Sequence, residues 1–307
     1  GTQTTLGNYN TLIGSGSAVC LAGSWNVIMG NCSAECVTSV SNSIVIGACA
    51  GRGENSGGNH TMPDGSIAIG NAALCKYVDD GTNNWPAVAI GLCAMSQSIP
   101  TAGMRAVAIG HRAMKLNTTG VNNVAIGEDA MCDNTTGRDN VAIGALAGKG
   151  TANKRYRVSI GYAAVASGDT DVAIGYNAGF VNSKNVTAST NAADNVNIGA
   201  QSGNFQHADT TKCENTFVGA YTGRGVSGQN AFTLIRNVGV GHNAMCLAGN
   251  NNSGAGVENN VAVGKEALKR VSGHSNIGIG SYAGLNLNIG SNNILFGNSA
   301  GYNLINR

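Results

Sequence analysis

The chain of 307 residues is poor in the residues that usually build enzyme sites and helical cores. Charged residues make up 11 % of it, aromatics 5 %, and prolines are limited to Pro63, Pro86 and Pro100. The charged fraction is about half the usual quarter of a soluble domain. A net charge near +2 gives no electrostatic footprint for nucleic acid. No run of 18 apolar residues is present, nor a heptad stalk or a signal peptide at Gly1, so the expectation is neither membrane insertion nor anchoring. Cysteines number nine, an odd count that leaves at least one unpaired within the chain.

Glycine and a short repeated phrase dominate what is present. Val107-Ala108-Ile109-Gly110 returns as Val124-Ala125-Ile126-Gly127, Val141-Ala142-Ile143-Gly144, Val158-Ser159-Ile160-Gly161 and Val172-Ala173-Ile174-Gly175, and in looser form from Gly7 to Gly297. A short period over a whole chain is the mark of a solenoid or array. Large branched residues two apart give a strand of about four residues, and the glycine closes it in a tight corner. Three residues after each glycine stands a small residue, such as Ala113, Ala130 and Ala147, which must point into tight space. The next position is glycine or an apolar residue such as Leu74, Met114 or Met131, where a second inner wall is expected to begin. Each repeat therefore reads as two short strands and two turns.

Motif glycines are 17 residues apart at Gly110, Gly127, Gly144 and Gly161, and 14 apart at Gly161 and Gly175. A rung needs about 14 residues, and the remainder is loop. In the connectors Asn117-Thr118-Thr119-Gly120 and Asn134-Thr135-Thr136-Gly137, asparagine and glycine are expected to supply the hydrogen bond and the left-handed residue of a tight turn. The fold class expected is all-β: one domain over 1–307, a parallel β-roll or β-solenoid of about 17 rungs with loop insertions. At about 4.8 Å per rung this is a rod of about 80 Å.

The interior is expected to be thin, lined by single Val or Ile side chains opposite Ala and Gly. Val and Ile on more than one face would leave apolar ridges exposed on a lone chain, and exposed apolar ridges mark interfaces. Three rods side by side would bury them under cyclic symmetry. Ile109, Ile126, Ile143, Ile160 and Ile174 are the residues expected to pack the core and the trimer contacts.

The phrase Asn123-Val124-Ala125-Ile126-Gly127-Glu128-Asp129-Ala130 and its next copy from Asn140 resemble the head repeat of trimeric autotransporter adhesins, the YadA-like heads. The same repeat with Asn-Thr-Thr-Gly connectors is similar to segments of tailed-phage tail fibres. The resemblance spans nearly the whole chain, although the rungs are longer than the adhesin pattern. It implies a homotrimer of left-handed parallel rolls.

Cysteine placement helps choose between those settings. Cys32, Cys49 and Cys93 stand two after a motif glycine, and Cys75, Cys132 and Cys246 stand five after one. Those slots elsewhere hold small or apolar residues, so the expectation is buried thiols acting as small hydrophobes. Free thiols suit assembly in a reducing cytosol better than export through an oxidising periplasm. The reading is therefore a non-enzymatic structural or adhesive segment of a phage tail fibre in the virion, supporting attachment to a host surface. The alternative is the head of a bacterial trimeric surface adhesin, and the third is a polysaccharide depolymerase on a β-solenoid. The expected partners are two further copies of the chain, other virion tail components, and a host surface glycan or protein. No cofactor or metal is expected.

Insertions are where recognition is expected. The loop from Lys76 to Pro86 carries Tyr77, Asp79, Asp80 and Trp85, a mixture suited to stacking on sugar rings and hydrogen-bonding to them, although Trp85 has an equal claim to packing on the body that carries it. Lys154, Arg155, Tyr156 and Arg157 form the one dense basic stretch, a candidate for anionic lipopolysaccharide. Asp79 or Asp80 with Asp133 or Asp139 would be the carboxylates of a glycosidase, but no spacing calls for that pairing.

Overall fold

In a computed structural model the residues described are 6–19, 21–53, 60–76, 85–97, 105–150, 152–180, 194–204, 211–225, 233–248, 256–288 and 290–304. The chain forms two compact units, Gly1–Arg155 and Tyr156–Arg307. In the first unit each repeated phrase is a three-residue strand. The strands Thr11–Ile13, Val27–Met29, Ile44–Ile46, Ile67–Ile69, Val88–Ile90, Val107–Ile109, Val124–Ile126 and Val141–Ile143 follow one another in a parallel ladder. The register never slips: Val124 pairs Val107 and then Val141, and Ile126 pairs Ile109 and then Ile143. The second unit repeats the arrangement from Val158–Ile160 to Ile294–Phe296. Successive parallel strands joined by one circuit of chain make each unit a parallel β-solenoid, and no helix occurs among the described residues.

The corner after each strand depends on glycine. Gly127 has φ 136°, and a Cβ there would stand 2.5 Å from the carbonyl oxygen of Gly144 in the next rung. Side-chain-bearing residues rarely adopt that backbone, and the stacked rung leaves no room for one. Two and four residues on, Asp129 and Met131 are left-handed at φ 54° and 48°. This alternation turns the chain while keeping its amides on neighbouring rungs: Asp129 N donates to His111 O at 2.9 Å, and Met131 N to Ala147 O at 2.9 Å. The connectors work differently from expectation. Asn117 Nδ2 does donate to Gly120 O at 2.9 Å, but Gly120 and Gly137 are not among the positive-φ glycines. They are glycine for space, because a Cβ on Gly120 would strike Asn117 Oδ1 and Gly137 O.

The strands face the opposite way from expectation. Inside lies the small middle residue: Ala68, Ala89, Ala108 and Ala125 are fully buried, and Ala142 nearly so. Around it pack the alanines three after each glycine (Ala73, Ala94, Ala113, Ala130, Ala147) and the large residues one further on (Leu74, Met95, Met114, Met131). The branched residues stand on the outer face. Ile109, Ile126, Ile160 and Ile174 are half-buried, and Ile143 is 38 % exposed. They do not pack the core of their own chain. Where Met or Leu fills the narrow interior the strand sends only a methyl group inward, whereas Ile28 and Val45 are fully buried in the same slot of rungs whose second wall carries Ala34 and Gly51. Phe217 is the extreme case. It fills the inward slot of Thr216–Val218 at 1 % exposure, and the surrounding chain gives way as Gly223 and Gly239.

A polar column runs beside this core. The residue immediately before the strand is buried in all ladder rungs but the first and last, and in the second unit it is Asn195, Asn215, Asn237, Asn260 and Asn276 in successive rungs. Asn237 Nδ2 donates to Asn215 Oδ1 at 3.0 Å and to Val257 O at 2.7 Å, while Asn237 Oδ1 accepts from Asn260 N at 3.0 Å. Each amide thus bridges two rungs and ties a loop carbonyl to the ladder. Such complete pairing is what lets polar groups line a core without a desolvation penalty. Asp171 precedes Asn195 in the column, accepting from Asn195 N at 2.8 Å and from Gly168 N at 2.6 Å.

Candidate functional site

Tyr77, Asp79 and Asp80 lie outside the described residues. Trp85, from the same insertion, is 38 % exposed, and the Arg105 guanidinium carbon stands 3.2 Å from its ring centroid. One face of the indole is therefore engaged by a cation of its own chain, the packing role weighed above.

The basic stretch does not act as one surface. Lys154 is half-buried, and Arg155 and Tyr156 are exposed, but Arg157 is only 2 % exposed. Arg157 occupies the slot immediately before Val158–Ile160, where the neighbouring rungs place Asn140 and Asp171, and its Nη1 donates to Ala166 O at 2.9 Å. Burial lowers its pKa to about 10 against the opposing pull of Asp169 and Asp171. Arg157 is thus a structural member of the polar column and is withdrawn from the candidate receptor residues.

The cysteines separate by slot. Cys132 and Cys246, five after a glycine, are buried as expected, whereas Cys32, Cys49 and Cys93 in the left-handed slot are only half-buried, as is Cys75. Cys32, Cys49 and Cys93 stand at the corner, two residues after the glycine, and not in the inner wall that Met114 and Met131 fill. Burial, reinforced by Asp133, pushes the Cys132 thiol up to about 12. None of the eight described cysteines is joined in a disulfide.

The charged chemistry of the first unit collects at one corner across three rungs. Arg112 and Asp129 stand two after Gly110 and Gly127, and Lys115, Cys132 and Lys149 stand five after Gly110, Gly127 and Gly144. Stacking brings them around a surface groove of about 180 Å³, completed by Leu116 and Asp133. Arg112 Nη2 meets Asp129 Oδ2 at 2.5 Å, and Lys149 Nζ lies 3.9 Å from the same oxygen. The Asp129 side chain is 8 % exposed, and its carboxylate raises the Arg112 pKa through their hydrogen bond and charge attraction. Cys132 Sγ donates to Asp133 Oδ1 at 3.4 Å. The Arg112 Nε–H is buried with no acceptor, and Lys115 makes no ion pair among the described residues. Of these residues the sequence singles out only Asp133, as a possible glycosidase carboxylate, and Cys132, as a ladder thiol. The signal that would have found the rest is their shared offset from the motif glycines.

Exposed aromatics form separate pairs on other rungs. Tyr9 and Trp25 stack with ring centroids 4.1 Å apart, both more than half exposed, and Tyr162 stacks on Tyr176 at 5.6 Å. No group of three or more His, Cys, Asp or Glu side chains among the described residues is placed to hold a metal ion. Comparison with protein-family models, with curated proteins and with solved structures gives no match for the chain.

Proposed function

We propose that this chain is a non-enzymatic segment of a homotrimeric virion tail fibre that supports attachment to a host cell surface. The observation carrying the reading is the outer face of the ladder. Val107, Ile109, Val124 and Ile126 stand half-buried in strict register on that face, and Ile143 continues them at 38 % exposure. A continuous strip of branched side chains repeating at each rung is costly to leave in water and suits lateral packing against further copies. With about 17 copies of the repeat, three chains side by side would make a fibre whose core is completed between chains. The free thiols favour a particle assembled in a reducing compartment over an exported adhesin head.

Immunogold electron microscopy with antibodies to the chain tests the setting. Label along fibres of virus particles supports the reading. Label on cell envelopes free of particles would replace it with the surface adhesin.

A further inference from the structure

We propose that the corner groove of Arg112, Lys115, Asp129, Asp133 and Lys149 binds an extended acidic polysaccharide, with uronate carboxylates seated on Lys115 and Lys149. The inference deepens the attachment reading by naming a ligand class and a place on the fibre.

Three observations carry it. First, the groove holds three cations against two carboxylates, and Asp129 is already taken by Arg112 at 2.5 Å. An anion is therefore the charge the groove lacks. Second, Lys115 makes no ion pair among the described residues, so its ammonium is open to an incoming carboxylate. Third, Lys115 and Lys149 occupy the same slot two rungs apart, with Cys132 between them. At about 4.8 Å per rung their backbones are about 10 Å apart, a separation matching the disaccharide repeat of a 1,4-linked uronate chain. Asp133 supplies an acceptor for sugar hydroxyls, completing the donor and acceptor mixture that a polyol needs. The lining comes from three successive rungs, an arrangement that suits an extended chain better than a compact anion. Three copies of a weak site in the proposed trimer would gain by effective concentration.

The test uses the full chain and tetragalacturonate as the probe, with maltotetraose as the neutral control and inorganic phosphate as the compact anion, followed by calorimetry at low salt. Tetragalacturonate should bind, and Lys115→Gln with Lys149→Gln should weaken it at least tenfold. Lys265→Gln with Arg270→Gln, which removes the same two charges from exposed positions elsewhere, should change it less than twofold. Lys149 is exposed and Lys115 half-buried outside the core, so an unchanged thermal transition will show that the variant is folded. Equal binding of maltotetraose, full competition by phosphate at equal concentration, or an unaffected double variant would overturn the assignment. Maltotetraose binding that survives the lysine changes would do so while leaving the attachment reading standing, since a glycan would then bind elsewhere. Absence of binding to tetragalacturonate overturns the groove assignment alone, because the immunogold result decides the fibre reading separately.

Discussion

Asn276 presents two donors to one oxygen of Asn260: its backbone N lies 2.9 Å from Asn260 Oδ1 and its Nδ2 lies 3.0 Å from the same atom. The same two-donor clasp recurs at Asn215, Asn237, Asn260 and Asn293. Register between rungs is therefore held by side-chain amides as well as by the strand ladder. A slip of one residue would place a branched side chain in the column and leave several buried polar groups without partners.

Interrupting that column is the first expected liability. Asn237→Ala removes the acceptor for Asn260 and the donor to Val257 O. Orphaning these buried groups should cost about 3 kcal/mol, read as a lower urea midpoint with an unchanged slope. A midpoint within error of the parent would mean that the amide ladder contributes nothing to stability.

Phe217 and Gly239 should be energetically coupled. A Cβ on Gly239 would lie 3.0 Å from Phe217 Cδ1 and 2.8 Å from Thr222 Cγ2. Gly239→Ala should therefore cost about 1–3 kcal/mol by overpacking. Combined with Phe217→Ala it should add little to the cost of that change alone. Additive costs in the double-mutant cycle would show that the ring and the glycine do not share space.

Cys132 should behave as a neutral thiol far into the alkaline range. Its pKa rises from 9.0 to about 12 on folding, so the folded state disfavours the thiolate. The associated stability is fully present below pH 9 and is lost as pH climbs towards 12. In the folded protein its alkylation by iodoacetamide should stay slow between about pH 8 and 10, whereas in urea the rate should climb as the ordinary thiol ionises. Peptide mapping by mass spectrometry reads this directly, and a folded-state rate that rises like the unfolded one would contradict the burial.

Strand positions and corner glycines were legible because the phrase itself carries them: Val124-Ala125-Ile126-Gly127 can hardly be anything but a short strand and a sharp turn. Which face of the strand looks inward was not legible, since period-2 alternation marks two faces without naming the inner one. Hydrophobicity argued for Ile126, but the narrow interior made size decisive and selected Ala125. The asparagine before each strand was visible in Asn123-Val124 and Asn140-Val141, yet a single sequence reads it as a turn residue until the rungs are stacked. Arg157 was misread for the same reason, because in a linear reading it belongs with Lys154 and Arg155, whereas in the stack it belongs to the column of Asn195 and Asn215. The groove residues Arg112 and Asp129 are 17 positions apart in sequence, and they become neighbours only after the chain has completed one circuit.

In the proposed trimer, the outward branched face makes Ile126 the residue on which assembly would turn. Ile126→Asp should leave each rung intact, since Ala125 and not Ile126 fills the interior, but would place three carboxylates in the contacts between chains at a cost of several kcal/mol. Sedimentation equilibrium of the parent chain and this variant at micromolar concentration is the most direct measurement. The expected result is a parent species of three 30.9 kDa chains and a variant that is monomeric with its β-sheet circular dichroism unchanged. A parent chain that sediments as a folded monomer, or a variant that remains trimeric with an unchanged thermal transition, would contradict the account.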